Sequence, residues 1–298
     1  MPSDLRRVSR PWSWRRPSGS APASPPLGPP PETPPLVRLL ARAGFLAALV
    51  LGSLVALRVV AFATARAAQL LPPAWEAKLG ELAFDRLAPP SERCRDPALD
   101  RAVDEIAERL THAEEGMPRD VRVVVSDDPE VNAFALPGAR IVVMRGLLEK
   151  TRRPEELAGI LAHELQHVRR HDAASAFLRW LSLRALASFL GGSWLANGAE
   201  ALAGLHYDRG QEAEADREGM ALVLAAGLDG RGMVDAYRML ARTAPELPGP
   251  LLLLSDHPDL DGRIRELAAL AGAGQPSAPP LRFDEGWEIL ARRCGRRR

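Results

Sequence analysis

His163, Glu164 and His167 stand in the order HExxH, in the run His163-Glu164-Leu165-Gln166-His167. In a helix, positions i and i+4 share a face, so both imidazoles can reach one metal ion. Glu164, one residue on from His163, flanks that ion and can take a proton from water there. Catalytic zinc typically keeps three protein ligands, so a third must come from elsewhere in the chain. Arg209 to Asp216, RGQEAEAD, offers one. Glu212 and Asp216 are four apart and share a helix face. Glu212 can ligate, while Asp216 accepts a hydrogen bond from a ligand histidine and fixes its tautomer. By spacing alone, acidic helical runs are more often solvated faces. Glu214, on a different face, keeps that reading.

These side chains need a scaffold, and the flanking patterns supply one. Leu157, Ile160, Leu161 and Val168 give the HExxH segment a helical apolar pattern. Pro154 suits the first helical position and Glu155 and Glu156 the first turn, so a helix is predicted from near Pro154 past His171. Upstream, Leu99, Val103, Ile106 and Leu110 recur at spacings of 4, 3 and 4 and predict a helix from Pro97. Val121 to Val125, Val131 to Leu136 and Ile141 to Met144 read as strands, the last two joined by a Pro137-Gly138 turn. Further helices are predicted at about 174–190, 209–226 and 261–271. The fold class is α+β: a mainly helical domain with a small sheet, preceded by one transmembrane helix.

That helix comes from Gly44 to Ala65, a stretch holding only one charge, Arg58. About 20 apolar residues cross a bilayer, so 36–66 is read as an anchor. A cleaved signal peptide fits poorly, because more than 40 residues would precede its apolar core. Seven arginines precede the span by residue 43, while Arg66 and Lys78 alone follow closely. The positive-inside bias then puts the N-terminus in the cytoplasm and the domain on the extracytoplasmic side. Residues 1–35 hold 11 of the 27 prolines and five arginines, the composition of a disordered tail. Residues 67–93 read as a juxtamembrane linker, 94–272 as the metallopeptidase domain and 273–298 as a C-terminal tail. Ala174 to Leu205 is apolar, but its longest uncharged run, Ala185 to Ala199, is short of a span, so it reads as core helices.

Composition excludes other classes. A net charge of +1 over 298 residues argues against a nucleic-acid binder. Two cysteines, Cys94 and Cys294, are too few for a disulfide scaffold or a cysteine zinc site. They flank the predicted domain, and on an oxidising side of a membrane they are expected to form a disulfide.

HELQHVRRH followed by RGQEAEAD resembles the HtpX-like and BepA-like membrane-associated zinc metallopeptidases, of gluzincin type. Asn132 to Gly138, running on to Arg145-Gly146-Leu147-Leu148, is similar to that family's strand, turn and strand before the active helix. His257-Pro258 with Arg263-Ile264 is similar to its HP…RI element. The resemblance covers about 95–270. It implies one Zn2+ held by His163, His167 and Glu212, with Asp216 and Arg263 behind them. It further implies Glu164 as catalytic base and endopeptidase activity on unfolded or membrane-associated polypeptides. On this resemblance His257 is also read as catalytic, a donor to the oxyanion of the tetrahedral intermediate. Asn132, Ala133 and Phe134 would form the substrate-pairing edge strand. Two positions depart from the family: Gln166 stands where glycine is usual, and Asp256 where threonine is. A proteolytically idle chaperone or binding module with a retained metal site is the alternative, and a hydrolase of short peptides a third reading. Oligomeric state is not legible.

Overall fold

A computed structural model describes residues 34–189, 207, 209–243, 260–272 and 279–294. The chain divides into two units, residues 1–52 and 53–298. Helix α1, Pro35–Gln69, is the one helix among the described residues long and apolar enough to cross a membrane. Its large apolar side chains, among them Leu46, Val50, Leu54 and Phe62, are exposed.

The second unit has the expected class, helices around a small sheet. Strands β1 (Arg122–Ser126), β2 (Ala133–Leu136) and β3 (Arg140–Met144) lie in the order β1-β3-β2. β1 runs parallel to the central β3, and β2 pairs with it antiparallel as an edge strand. Successive strand side chains point to opposite faces. Ile141 and Val143 therefore enter the main core, while Val142 enters a smaller one on the other side with Phe84 and Leu136. With both faces covered, β3 from Ile141 to Met144 reads as an unbroken apolar run.

α3, Pro97–Ala113, starts with proline at its first turn, and the Asp96 carboxylate caps the Ala98 and Leu99 amides at 3.0 Å. Its predicted apolar face is buried. After the short α4 (Arg145–Lys150), α5 (Pro154–Arg169) threads the middle of the core, where every residue except Arg169 is buried. α6 (Asp172–Phe189), α7 (Arg209–Ala225), α8 (Arg231–Thr243) and α9 (Leu260–Ala271) follow. α8 was not among the predicted helices. It crosses α5 closely: a Cβ on Gly159 would lie 2.5 Å from the Met233 Cα, and one on Gly232 2.5 Å from the Glu155 carbonyl oxygen.

Three expectations are corrected. α5 does not run past His171 but ends at Arg169, and His171 takes a left-handed conformation with φ 57°. Residues 67–93 are not simply a linker, for they carry α2 (Pro73–Leu87), which buries Phe84 against Val142. Gly80 of α2 leaves no room for a Cβ, which would lie 1.9 Å from the Pro137 carbonyl oxygen. Nor is 273–298 only a tail: Leu281, Trp287, Leu290 and Ala291 join the main core, the last helix, α10, being Trp287–Leu290. Of the expected disordered segment 1–35, residues 1–33 lie outside the described residues, as do 190–205 of the apolar region.

Candidate metal centre

The i,i+4 spacing on α5 brings the His163 and His167 Nε2 atoms to 3.1 Å of each other. α7 crosses against this turn because Gly219 lets its backbone in: a Cβ there would lie 3.2 Å from the His163 Cα. The crossing delivers Glu212, whose Oε1 is 3.3 Å from the His167 Nε2 and Oε2 3.7 Å from the His163 Nε2. The three buried side chains each offer a ligand atom within 4.8 Å of the others. Two imidazoles and one carboxylate are a borderline-soft donor set that suits zinc.

Both imidazoles are turned by carboxylates. The His163 Nδ1 lies 3.0 Å from Asp216 Oδ1 and 3.0 Å from the Tyr237 hydroxyl oxygen. Tyr237 has one proton and donates it to Asp216 Oδ1 at 2.6 Å. Both neighbours of Nδ1 are thus acceptors, so Nδ1 carries the proton and Nε2 presents its lone pair to the metal position. The His167 Nδ1 donates likewise to Asp172 Oδ2 at 3.1 Å, and Gln211 Nε2 donates to Asp172 Oδ1 at 2.6 Å. The left-handed His171 makes this possible, because it turns the chain so that Asp172 doubles back to the helix it follows. The Tyr207 ring stacks on His167 with centroids 3.8 Å apart.

Arg263 closes the constellation from α9. It donates to Asp216 Oδ2 and Oδ1 at 2.6 and 2.7 Å and to the Tyr237 oxygen at 3.0 Å, and its Nη1 is 2.6 Å from Glu212 Oε2. Burial alone would raise the Asp216 carboxyl, but Arg263 and His163 outweigh it and hold it well below the carboxylate range. Burial pushes Tyr237 well above its usual value, so it remains a donor. Burial also lowers His163, against the pull of Asp216 and Glu212. At His167 burial again lowers the value, but Asp172 and Glu212 win and raise it to about 9.

The residues expected from the sequence therefore come together at His163, His167, Glu212, Asp216 and Arg263. Glu164, between the histidines, is 2% exposed. Asn132, Ala133 and Phe134 sit at the start of the edge strand β2, where the Asn132 carbonyl accepts from the Met144 amide at 3.0 Å. His257 lies outside the described residues. Glu214, read as solvated, pairs with Arg170. His171 contacts the Glu76 carboxylate of α2 at 3.0 Å. Gln166 is fully buried, and its amide has no hydrogen-bond partner among the described residues. Tyr237, Asp172, Gln211 and Tyr207 were missed by sequence reasoning.

A buried helix bearing HExxH, completed by a glutamate from a crossing helix and backed by carboxylates, defines a metallopeptidase. A model of peptidase family M48 matches residues 95–271, and the chain belongs to that family. It is similar to the beta-barrel assembly-enhancing protease of Yersinia pestis, 27% identical over 61% of this chain and 40% of that protein. The protein of that name from Escherichia coli K12 is 26% identical over 67% of this chain and 45% of its own length. The mitochondrial metalloendopeptidase OMA1 of Arabidopsis thaliana is 33% identical over 56% of this chain and 35% of its own length. The chain spans less than half the length of each of these relatives.

Proposed function

We propose that this M48 metalloprotease is a membrane-anchored zinc endopeptidase acting on unfolded or membrane-associated proteins, in the manner of envelope quality control. The observation that carries the reading is the convergence of His163, His167 and Glu212, with Glu164 beside them. When bound, zinc supplies Lewis-acid polarisation of the scissile carbonyl and makes water more acidic. Glu164 takes the proton of the attacking water and returns it to the leaving amine. Asp216, Tyr237 and Arg263 hold the His163 and Glu212 donors, and Asp172 holds His167. His257 is assigned to the developing oxyanion, and the Asn132–Phe134 edge to substrate. An edge strand pairs with extended backbone, which unfolded chains offer and folded ones withhold.

The exposed apolar surface of α1 supports membrane anchoring. The arginine bias before it supports an extracytoplasmic domain, and the names of the bacterial relatives fit a role in the cell envelope.

The test is casein degradation by the purified full chain in detergent, alongside metal analysis. Expected are one zinc per chain, degradation abolished by a chelator and restored by zinc. A zinc-loaded chain that leaves casein intact while cleaving dipeptides would replace this reading with a short-peptide hydrolase. For topology, a C-terminal reporter active only outside the cytoplasm should give signal, and silence from an expressed fusion would reverse the orientation.

A further inference from the structure

The two cysteines of the chain, separated by about 200 residues, are brought together by contacts that do not involve sulfur. At one end, the Cys94 amide donates to the Val125 carbonyl at 2.8 Å, and Arg93 forms an antiparallel bridge with Ser126, which lays this segment along β1. At the other, Arg293 reaches both oxygens of Asp96 at 3.1 and 3.2 Å, the carboxylate that also caps α3. Trp287 pins the same C-terminal segment by donating to the Thr151 hydroxyl at 3.0 Å. Cys294 is buried in the core, and Cys94 is half-buried and packs against the same core cluster.

We propose that Cys94 and Cys294 are a site of oxidative cross-linking, closed into a disulfide by a disulfide-bearing oxidant such as oxidised glutathione or a thiol–disulfide oxidoreductase. Cys94 attacks as thiolate, the oxidant's S–S bond breaks, and a mixed disulfide forms at Cys94. Cys294 then loses its proton and attacks the Cys94 sulfur, expelling the second thiolate. The two cysteines together lose two electrons and two protons, and the oxidant leaves as two thiols. Access favours this order, because Cys94 is the more accessible of the two, and the neighbouring Cys294 holds its thiol low. Both segments are anchored to the same core, and the Arg293–Asp96 ion pair ties one to the other, which limits the movement that closure requires.

The resulting ring would enclose the whole family-matched region, 95–271. The longer the loop closed, the more conformational freedom the unfolded chain loses. Two adjacent thiols can also be mere packing, since free cysteine behaves as a small apolar residue. The test separates the two and does not depend on which side of a membrane the domain occupies.

The purified full chain in detergent is equilibrated with oxidised glutathione, quenched with an alkylating trap and weighed intact. Expected is a species lighter by two hydrogens that carries neither glutathione nor trap. Reducing it should lower the unfolding midpoint by about 10 °C. Cys94→Ser, Cys294→Ser and the double variant should each resemble the reduced wild type, because one bond can be lost only once. Persistent label on both cysteines at full oxidant would overturn the proposal. So would an unfolding midpoint of the wild type that ignores reductant.

Discussion

The two flanks of the metal centre reach the same end by different means. On the α7–α9 flank, His163 is oriented by a closed cluster, in which Asp216, Tyr237 and Arg263 bond one another. On the α6 flank, His167 is oriented by one carboxylate, Asp172, steadied by Gln211. The first flank draws on three elements distant in sequence, and its parts are mutually dependent. The second is built almost locally, by a helix that breaks and turns back. The consequence is electrostatic as well as architectural: burial wins at His163 and lowers it, while the carboxylates win at His167 and raise it.

Both flanks serve Glu164, so its loss should give the largest effect and should not tell them apart. Glu164→Gln is expected to cut peptidase turnover by on the order of 10²-fold or more while retaining metal. Turnover against metal content checks this. The flanks separate in metal affinity. Asp216→Asn removes the carboxylate that Arg263 and His163 share and should weaken zinc binding by about 100-fold, whereas Asp172→Asn should cost about 10-fold. Equal losses in competition with a chelating dye would mean that the two flanks do not differ. Within the first flank, Tyr237→Phe removes the hydroxyl alone and should weaken zinc binding by about 10-fold with unfolding little changed.

The flanks should also differ in pH response. In metal-free protein the raised His167 contributes stability that is fully present below its ordinary value of 6.5 and lost as pH rises through about 9. His163, lowered, contributes the opposite slope, a loss as pH falls through 6.5. Thermal unfolding of the chelated chain should therefore show an alkaline decline that Asp172→Asn reduces, Glu212 still acting on His167, and that Tyr237→Phe keeps. The smallest effect is expected at Gln166, outside both flanks. Gln166→Met relieves a buried, unpartnered amide and should be neutral or stabilising, by up to about 1–3 kcal/mol in denaturant unfolding.

The same contrast explains what was legible in the sequence. His163 and His167 obey helix spacing, a rule that needs no knowledge of the rest of the fold, whereas Glu212 and Asp216 share that spacing but stood out from a solvated face only through the family resemblance. The sheet and α3 were legible from β-branched runs and a 3-and-4 apolar spacing. Tyr237 was not, because it lies 74 positions from the His163 it touches and nothing local marks it. Its helix begins with Arg231-Gly232, and glycine disfavours helices unless close packing demands it, as it does against Glu155. Asp172 was hidden for another reason: neither glycine nor proline announces the left-handed break at His171. At the C-terminal segment, Gly/Pro/Ser composition masked Leu281, Trp287 and Leu290, whose partners are remote.

The all-round burial of α5 bears on how such an enzyme can be controlled. Its ligand histidines do not sit on a loop but on the helix with the least access to solvent, so its amides should exchange hydrogen only through the rarest, most global openings. Deuterium uptake across 157–168 should then be the slowest in the second unit. A centre held that firmly offers no cheap way to be switched by displacing its own ligands. Control over proteolysis would have to act on the access of substrate to the centre rather than on the chemistry within it.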